Sequence, residues 1–188
     1  MRPKSFRELL GKKTLIIGDV GSGKTKMAVE LLNEAVLLGY APQITVIDMA
    51  PATTIVKGRK VGGRFPEFTS ATRKVRYFAP TRVETPRLSA ETAEQLLRLV
   101  KLNKARVDVA LKAYMKNPTK ILFVNDISIY FQSGLAEPVL AAARRAETFI
   151  ANGYYGRYLS PDQGTGVSDV ERRLMDLLAK NMDEVVRL

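Results

Sequence analysis

The chain of 188 residues contains no cysteine and no histidine. Those two absences exclude disulfides, zinc-finger and iron–sulfur ligation by this chain, a cysteine nucleophile and a serine–histidine triad. Any catalysis falls to carboxylates, lysine, arginine, hydroxyls or a metal. No apolar run approaches membrane-spanning length, and the basic start Met1 to Glu8 is followed by no uninterrupted apolar stretch. The expectation is a cytoplasmic protein without a membrane partner. Internal repeats, coiled-coil heptads and low-complexity tracts are also missing. What remains is 46% hydrophobic, which suits one soluble domain over residues 1–188 with a sizeable core.

The most informative segment is Thr14 to Thr25, an apolar run entering Gly18-Asp19-Val20-Gly21-Ser22-Gly23-Lys24-Thr25. This is a complete Gly-x-x-x-x-Gly-Lys-Thr phosphate-binding loop, and Met27, Ala28, Leu31, Leu32, Ala35 and Leu38 follow at helical spacing. Successive backbone amides curled around phosphate oxygens neutralise them at short range, and glycine permits the curl. The nucleotide-binding candidates are therefore Gly18, Asp19, Val20, Gly21, Ser22, Gly23, Lys24, Thr25 and Lys26. Lys24 suits the outer phosphates, and the Thr25 hydroxyl suits a magnesium ion between them. An Asn-Lys-x-Asp guanine motif is absent, which favours ATP.

A second buried strand, Ile121 to Val124, ends in Asn125-Asp126. Two registers are open for an acidic metal partner there. Asn125 takes the metal-holding position with Asp126 polarising a water, or Asp126 itself holds the metal through water. The second is favoured, because an amide is a poorer ligand for a hard cation than a carboxylate. Gln43 to Ile47 read as another strand ending in Asp48, where ligands meet a parallel sheet. Lys24, Asp126 and Asp48 are the catalytic candidates.

The formal charge is +11, and residues 57–120 carry it: residues 1–56 sum to +2, 57–120 to +11 and 121–188 to −2. Such asymmetry suits nucleic acid or a phosphorylated substrate, or else a solvated basic face. Residues 51–70 show no helical or alternating period and contain Gly58, Gly62, Gly63 and many cations, so a mobile basic loop able to fold over an anion is expected. Arg82 and Arg87 follow a short strand, Val75 to Phe78, and are candidates to meet a phosphate. A long amphipathic helix from Ser89 ends at Asn117-Pro118. Leu135 to Arg145 suggest a helix, Thr148 to Ala151 a strand, and Tyr154, Tyr155 and Arg157 a rim that stacks on a base or reaches a phosphate. Ser5 to Glu8 and Ser168 to Glu171 have capping-box spacing, and Asp183 to Leu188 suit an edge strand.

With these motifs the chain resembles the P-loop NTPase superfamily over most of its length. The resemblance implies an α/β fold: a three-layer α/β/α sandwich with a mostly parallel central sheet and a RecA-like or kinase-like core. It also implies ATP and Mg2+ as ligands. The order of elements after Asp126 is loosely similar to corrinoid adenosyltransferases, from whose aspartate–glutamate pair Asn125-Asp126 departs. A magnesium-dependent ATPase responding to a partner is the leading functional expectation. A small-molecule kinase, an adenosyltransferase or a non-hydrolysing ATP sensor are the alternatives.

Overall fold

Within the strands, neighbouring side chains point to opposite faces, and here both faces are apolar. Leu15 and Ile17 enter one core and Ile16 the other; Leu122 and Val124 oppose Ile121 and Phe123; Phe149 and Ala151 oppose Ile150. Strands buried on both sides belong in a parallel sheet covered by helices, and a computed structural model of residues 4–56 and 58–188 shows that arrangement. β1 (Lys13–Gly18), β2 (Ile44–Asp48), β5 (Arg76–Phe78), β6 (Ile121–Asn125), β7 (Thr148–Tyr154) and β8 (Glu184–Arg187) form one sheet in the order β5-β2-β6-β7-β1-β8. All five pairings in it are parallel. The fold is a three-layer α/β/α sandwich.

On one face lie α1 (Phe6–Leu9) and α2 (Lys24–Leu37); on the other lie α4 (Ala93–Lys116), α5 (Ser128–Phe131), α6 (Glu137–Arg145) and α7 (Val167–Lys180). Because every strand of the large sheet runs the same way, the segments after β1, β2, β6 and β7 gather on one rim. Among the described residues no helix is long and apolar enough to cross a membrane.

The capping box at Ser5 forms, with Ser5 N donating to Glu8 Oε2 at 2.7 Å. The one at Ser168 does not. Gly166, in the left-handed region at φ 74°, is the N-cap of α7, and Ser168 N donates to Asp162 Oδ2 at 2.9 Å. The long helix begins at Ala93 rather than Ser89: Pro86 nucleates a separate turn, α3 (Pro86–Ser89), and the Thr92 side chain caps the helix proper.

Residues 51–70, expected as a loop, contain a hairpin of β3 (Thr54–Val56) and β4 (Arg59–Val61) and a short 3-10 turn at Phe65–Glu67. Phe65 is fully buried beneath α2 and the sheet, which pins the segment where no sequence period announced it. Lys57, part of the expected basic loop, lies outside the described residues.

Candidate phosphate site

β1 delivers the chain to the rim at Gly18, where a β-carbon would stand 2.6 Å from the Leu188 carbonyl oxygen. Gly21 and Gly23 have φ of 77° and 95°, so the turn needs residues without a side chain. Gly23 is the N-cap of α2 and no side chain caps the helix, leaving its first amides and the positive end of its dipole directed at the rim. The Lys24 ammonium folds back over the loop, donating to Asp19 O at 2.6 Å and Ser22 Oγ at 3.4 Å. Burial lowers the pKa of that ammonium, with Asp126 and then Asp19 opposing.

Val20, Gly21, Gly23, Lys24, Thr25 and Lys26 line a cleft of about 340 Å³ whose floor includes Asp126 and Asn152. Across it stand Lys60 to Gly63 and Phe68 from the hairpin segment, Thr85 to Leu88 on and beside α3, and Ile129, Gln132, Tyr154 and Leu159. Gly18, Asp19 and Ser22 shape the loop without lining the cleft. The Asp19 carboxylate turns away from it, accepting from Val20 N at 2.7 Å and Arg157 N at 3.1 Å. Burial works against its charge, but amides of Val20, Arg157 and Tyr158 outweigh burial and hold the carboxyl below its ordinary range. Gly156 leaves room for it: a β-carbon there would lie 2.3 Å from Asp19 Cγ.

The two residues at the end of β6 have different surroundings. Asn125 is fully buried, with Nδ2 donating to Asp48 Oδ1 at 2.8 Å and Gly63 O at 3.0 Å, and Oδ1 accepting from Asn152 Nδ2 at 2.9 Å. Asp126, at φ 54°, breaks the strand direction and brings its carboxylate into the cleft. Its Oδ1 accepts from Ser128 Oγ at 2.9 Å, and its amide donates to Asn152 Oδ1 at 3.1 Å. Burial raises its pKa against the pull of Ser128, Lys24 and Arg87.

Asp48 is separated from the cleft. It is fully buried, and its oxygens accept from Ala50 N, Asn125 Nδ2, Phe65 N and Tyr77 OH at 2.8 to 3.2 Å. Burial pushes its carboxyl up although four donors favour the charge. With both oxygens so engaged, Asp48 ties the 3-10 turn and the edge strand β5 to β2.

Tyr154 and Tyr155, expected to offer open faces, are stacked by arginines. Arg87 lies over Tyr154 at 5.3 Å, and Arg172 and Arg187 over Tyr155 at 4.2 and 5.4 Å. Arg157 joins the site through its amide to Asp19.

Glu171, expected only as the end of a capping box, is buried on α7 instead. It recurs with Val167, Met175 and Leu178 on the buried side of α7, and a carboxylate on an apolar stripe signals a buried partner. The partner is Arg87, whose Nη2 reaches both Glu171 oxygens at 2.9 and 3.0 Å. Gln132 Nε2 donates to the same carboxylate at 2.9 Å. Asn152 was legible by the logic used for Asp126, as the polar residue near a strand's rim end.

A hard divalent cation fits this cleft. The Thr25 hydroxyl and Asp126 carboxylate are suitable oxygens on its wall, while no cluster of three acidic ligands exists among the described residues. Such an ion would complete its shell with phosphate oxygens and water, as magnesium does.

No family model and no curated protein matches the chain. Among solved structures it is similar to the crystal structure of Pif1 helicase from Candida albicans, at 13% identity over 97% of this chain, with a TM-score of 0.39. The chain spans 37% of the length of that helicase chain.

Proposed function

We propose that the protein binds a nucleoside triphosphate, with ATP favoured, together with magnesium, and hydrolyses it slowly or in response to a partner. The observation that carries this reading is the meeting of Lys24, Thr25 and Asp126 in one cleft at the uncapped start of α2. The loop amides and Lys24 would hold the phosphates, Thr25 would hold the metal directly, and Asp126 would hold it through water. Asn125 is spent on Asp48, Gly63 and Asn152, which supports Asp126 as the metal partner. Phosphoryl transfer to water then rests on positioning and charge stabilisation.

Calorimetric titration with MgATP tests the reading. The wild type binds, and Lys24→Ala loses at least about tenfold in affinity while keeping its unfolding midpoint, since Lys24 serves the ligand. Equal affinity in both proteins would remove Lys24 from the site.

Nucleic acid is the first partner to test. Arg98, Lys101, Lys112 and Lys116 are exposed along α4, and no ion pair joins them among the described residues.

A second reading, ATP-dependent group transfer to a small molecule, has its own support. Val61, Phe68, Pro86, Leu88, Ile129 and Leu159 give the cleft an apolar wall that phosphate alone does not require. Free phosphate released faster with DNA or RNA favours the ATPase. A phosphorylated metabolite or released triphosphate favours the transferase.

A further inference from the structure

Arg87 is the one arginine among the described residues that line the phosphate cleft, where the other cations are Lys24, Lys26 and Lys60. It reaches the wall because Pro86 starts a separate turn, α3, ahead of the long helix. Its side chain is 5% exposed and its partner Glu171 3% exposed, so the pair is withdrawn from water almost completely. The guanidinium is only partly used by the protein. Nη2 serves Glu171 and Nη1 reaches Ser168 Oγ at 3.3 Å, while Nε has no hydrogen-bond acceptor among the described residues.

Charges alternate from the cleft inward: Lys24, Asp126 and Arg87 line it, and Glu171 stands behind Arg87 in a smaller neighbouring pocket. Asp126 feels both Lys24 and Arg87, and Glu171 feels both Arg87 and Asp126. A buried ion pair of this kind gains little over an apolar packing of the same volume. An arginine placed beside a phosphate loop, however, has a use that an apolar side chain lacks: its planar fork matches tetrahedral phosphate oxygens.

We propose that Arg87 contacts the terminal phosphate of the bound nucleotide, with Glu171 as the positioning residue that restrains its guanidinium at the cleft wall. The proposal rests on the nucleotide-binding reading above and adds to it a specificity for the number of phosphates. Arg87 discriminates triphosphate from diphosphate, because only the longer tail presents a group to it. Glu171 competes with that phosphate for the same guanidinium. Gln132, donating to Glu171 from α5's side, keeps the carboxylate in place.

The test is calorimetry of MgATP and MgADP on the full chain, above the value of about 7 to which burial raises Glu171 so that its carboxylate carries its charge, with thermal unfolding of each variant. Arg87→Gln should lower affinity for ATP by about tenfold or more, the worth of a charge-assisted hydrogen bond, and change affinity for ADP less than about twofold. Glu171→Gln leaves Arg87 without its counter-charge, so the phosphate becomes its partner. The ATP-to-ADP affinity ratio should rise severalfold, and ATP should raise the unfolding midpoint of this variant more than that of the wild type. A folded Arg87→Gln protein with an unchanged ratio overturns the inference. If Arg87→Gln does not fold, Glu171→Gln decides alone, and an unchanged or lower ratio in it overturns the inference. Wild type that binds neither nucleotide overturns the nucleotide reading and this inference together; wild type that binds both, with variants unaltered, overturns only the inference.

Discussion

Asp19 occupies the phosphate loop yet spends its carboxylate on the backbone after β7, and Gly156 leaves room for it. A methyl group at Gly156 would enter the space of Asp19 Cγ, so Gly156→Ala should cost about 1–3 kcal/mol through overpacking. Asp19→Ala removes the obstacle. In the double variant the Gly156→Ala penalty should largely disappear, and a denaturant-unfolding cycle measures that coupling. Additive penalties would show that the two loops do not touch in solution. Glu171 makes a pH-dependent prediction at the same scale. Burial pushes its carboxyl up to about 7, against Arg87 and Gln132 and with help from Asp126. The folded protein therefore keeps a proton that the unfolded chain releases near the ordinary 4.5. Glu171's contribution to stability is greatest below that value and declines as pH rises toward 7. Glu171→Gln mimics the protonated carboxyl and removes this titration, so the stability of the wild type relative to the variant should fall as pH rises over the same interval. A difference that stays flat from pH 4.5 to 7 would contradict the raised value.

Among the elements, β6 shows what a strand end can hide. Asn125-Asp126 leaves two registers open in the sequence, and the surroundings that distinguish the two residues come from far away in the chain: Asp48, Gly63 and Asn152 all converge on Asn125. Asn125→Asp would place a second buried carboxylate against Asp48, where an amide now donates at 2.8 Å. Stability should fall by about 3 kcal/mol or more, because neighbouring buried carboxylates cannot both ionise. Urea unfolding reads this directly, and a variant as stable as wild type would refute the network. The strands of the large sheet and the longer helices were legible, since double-sided apolar runs and a 3.6-residue stripe are local signals, whereas the four-residue helices α3 and α5 were not. Nor was the hairpin at 54–61. It has three-residue strands, and Phe65, which fixes the segment, finds its pocket only once α2 and the sheet exist. The glycine-rich turn from Gly18 into α2 could be read residue by residue because its residues are contiguous. The pairing of Arg87 with Glu171 could not, since 84 positions separate them.

At the level of the whole molecule, the excess positive charge lies in residues 57–120, and α4 exposes part of it along one side. If four of those cations contact phosphates of duplex DNA, log affinity should fall against log salt with a slope of about −3.6. Fluorescence anisotropy measures it, and replacing Arg98, Lys101, Lys112 and Lys116 with glutamine should flatten the slope. Salt-independent or absent binding at low ionic strength would leave α4 a solvated surface. The strand order carries a further consequence. With β7 seated between β1 and β6, the strand that leads into the glycine loop and the strand that ends at Asp126 stand two strand spacings apart, roughly 10 Å. On the proposed reading that separation would act as a ruler: an orthophosphate would engage one bank, whereas a chain of linked phosphates with its hydrated ion would span both.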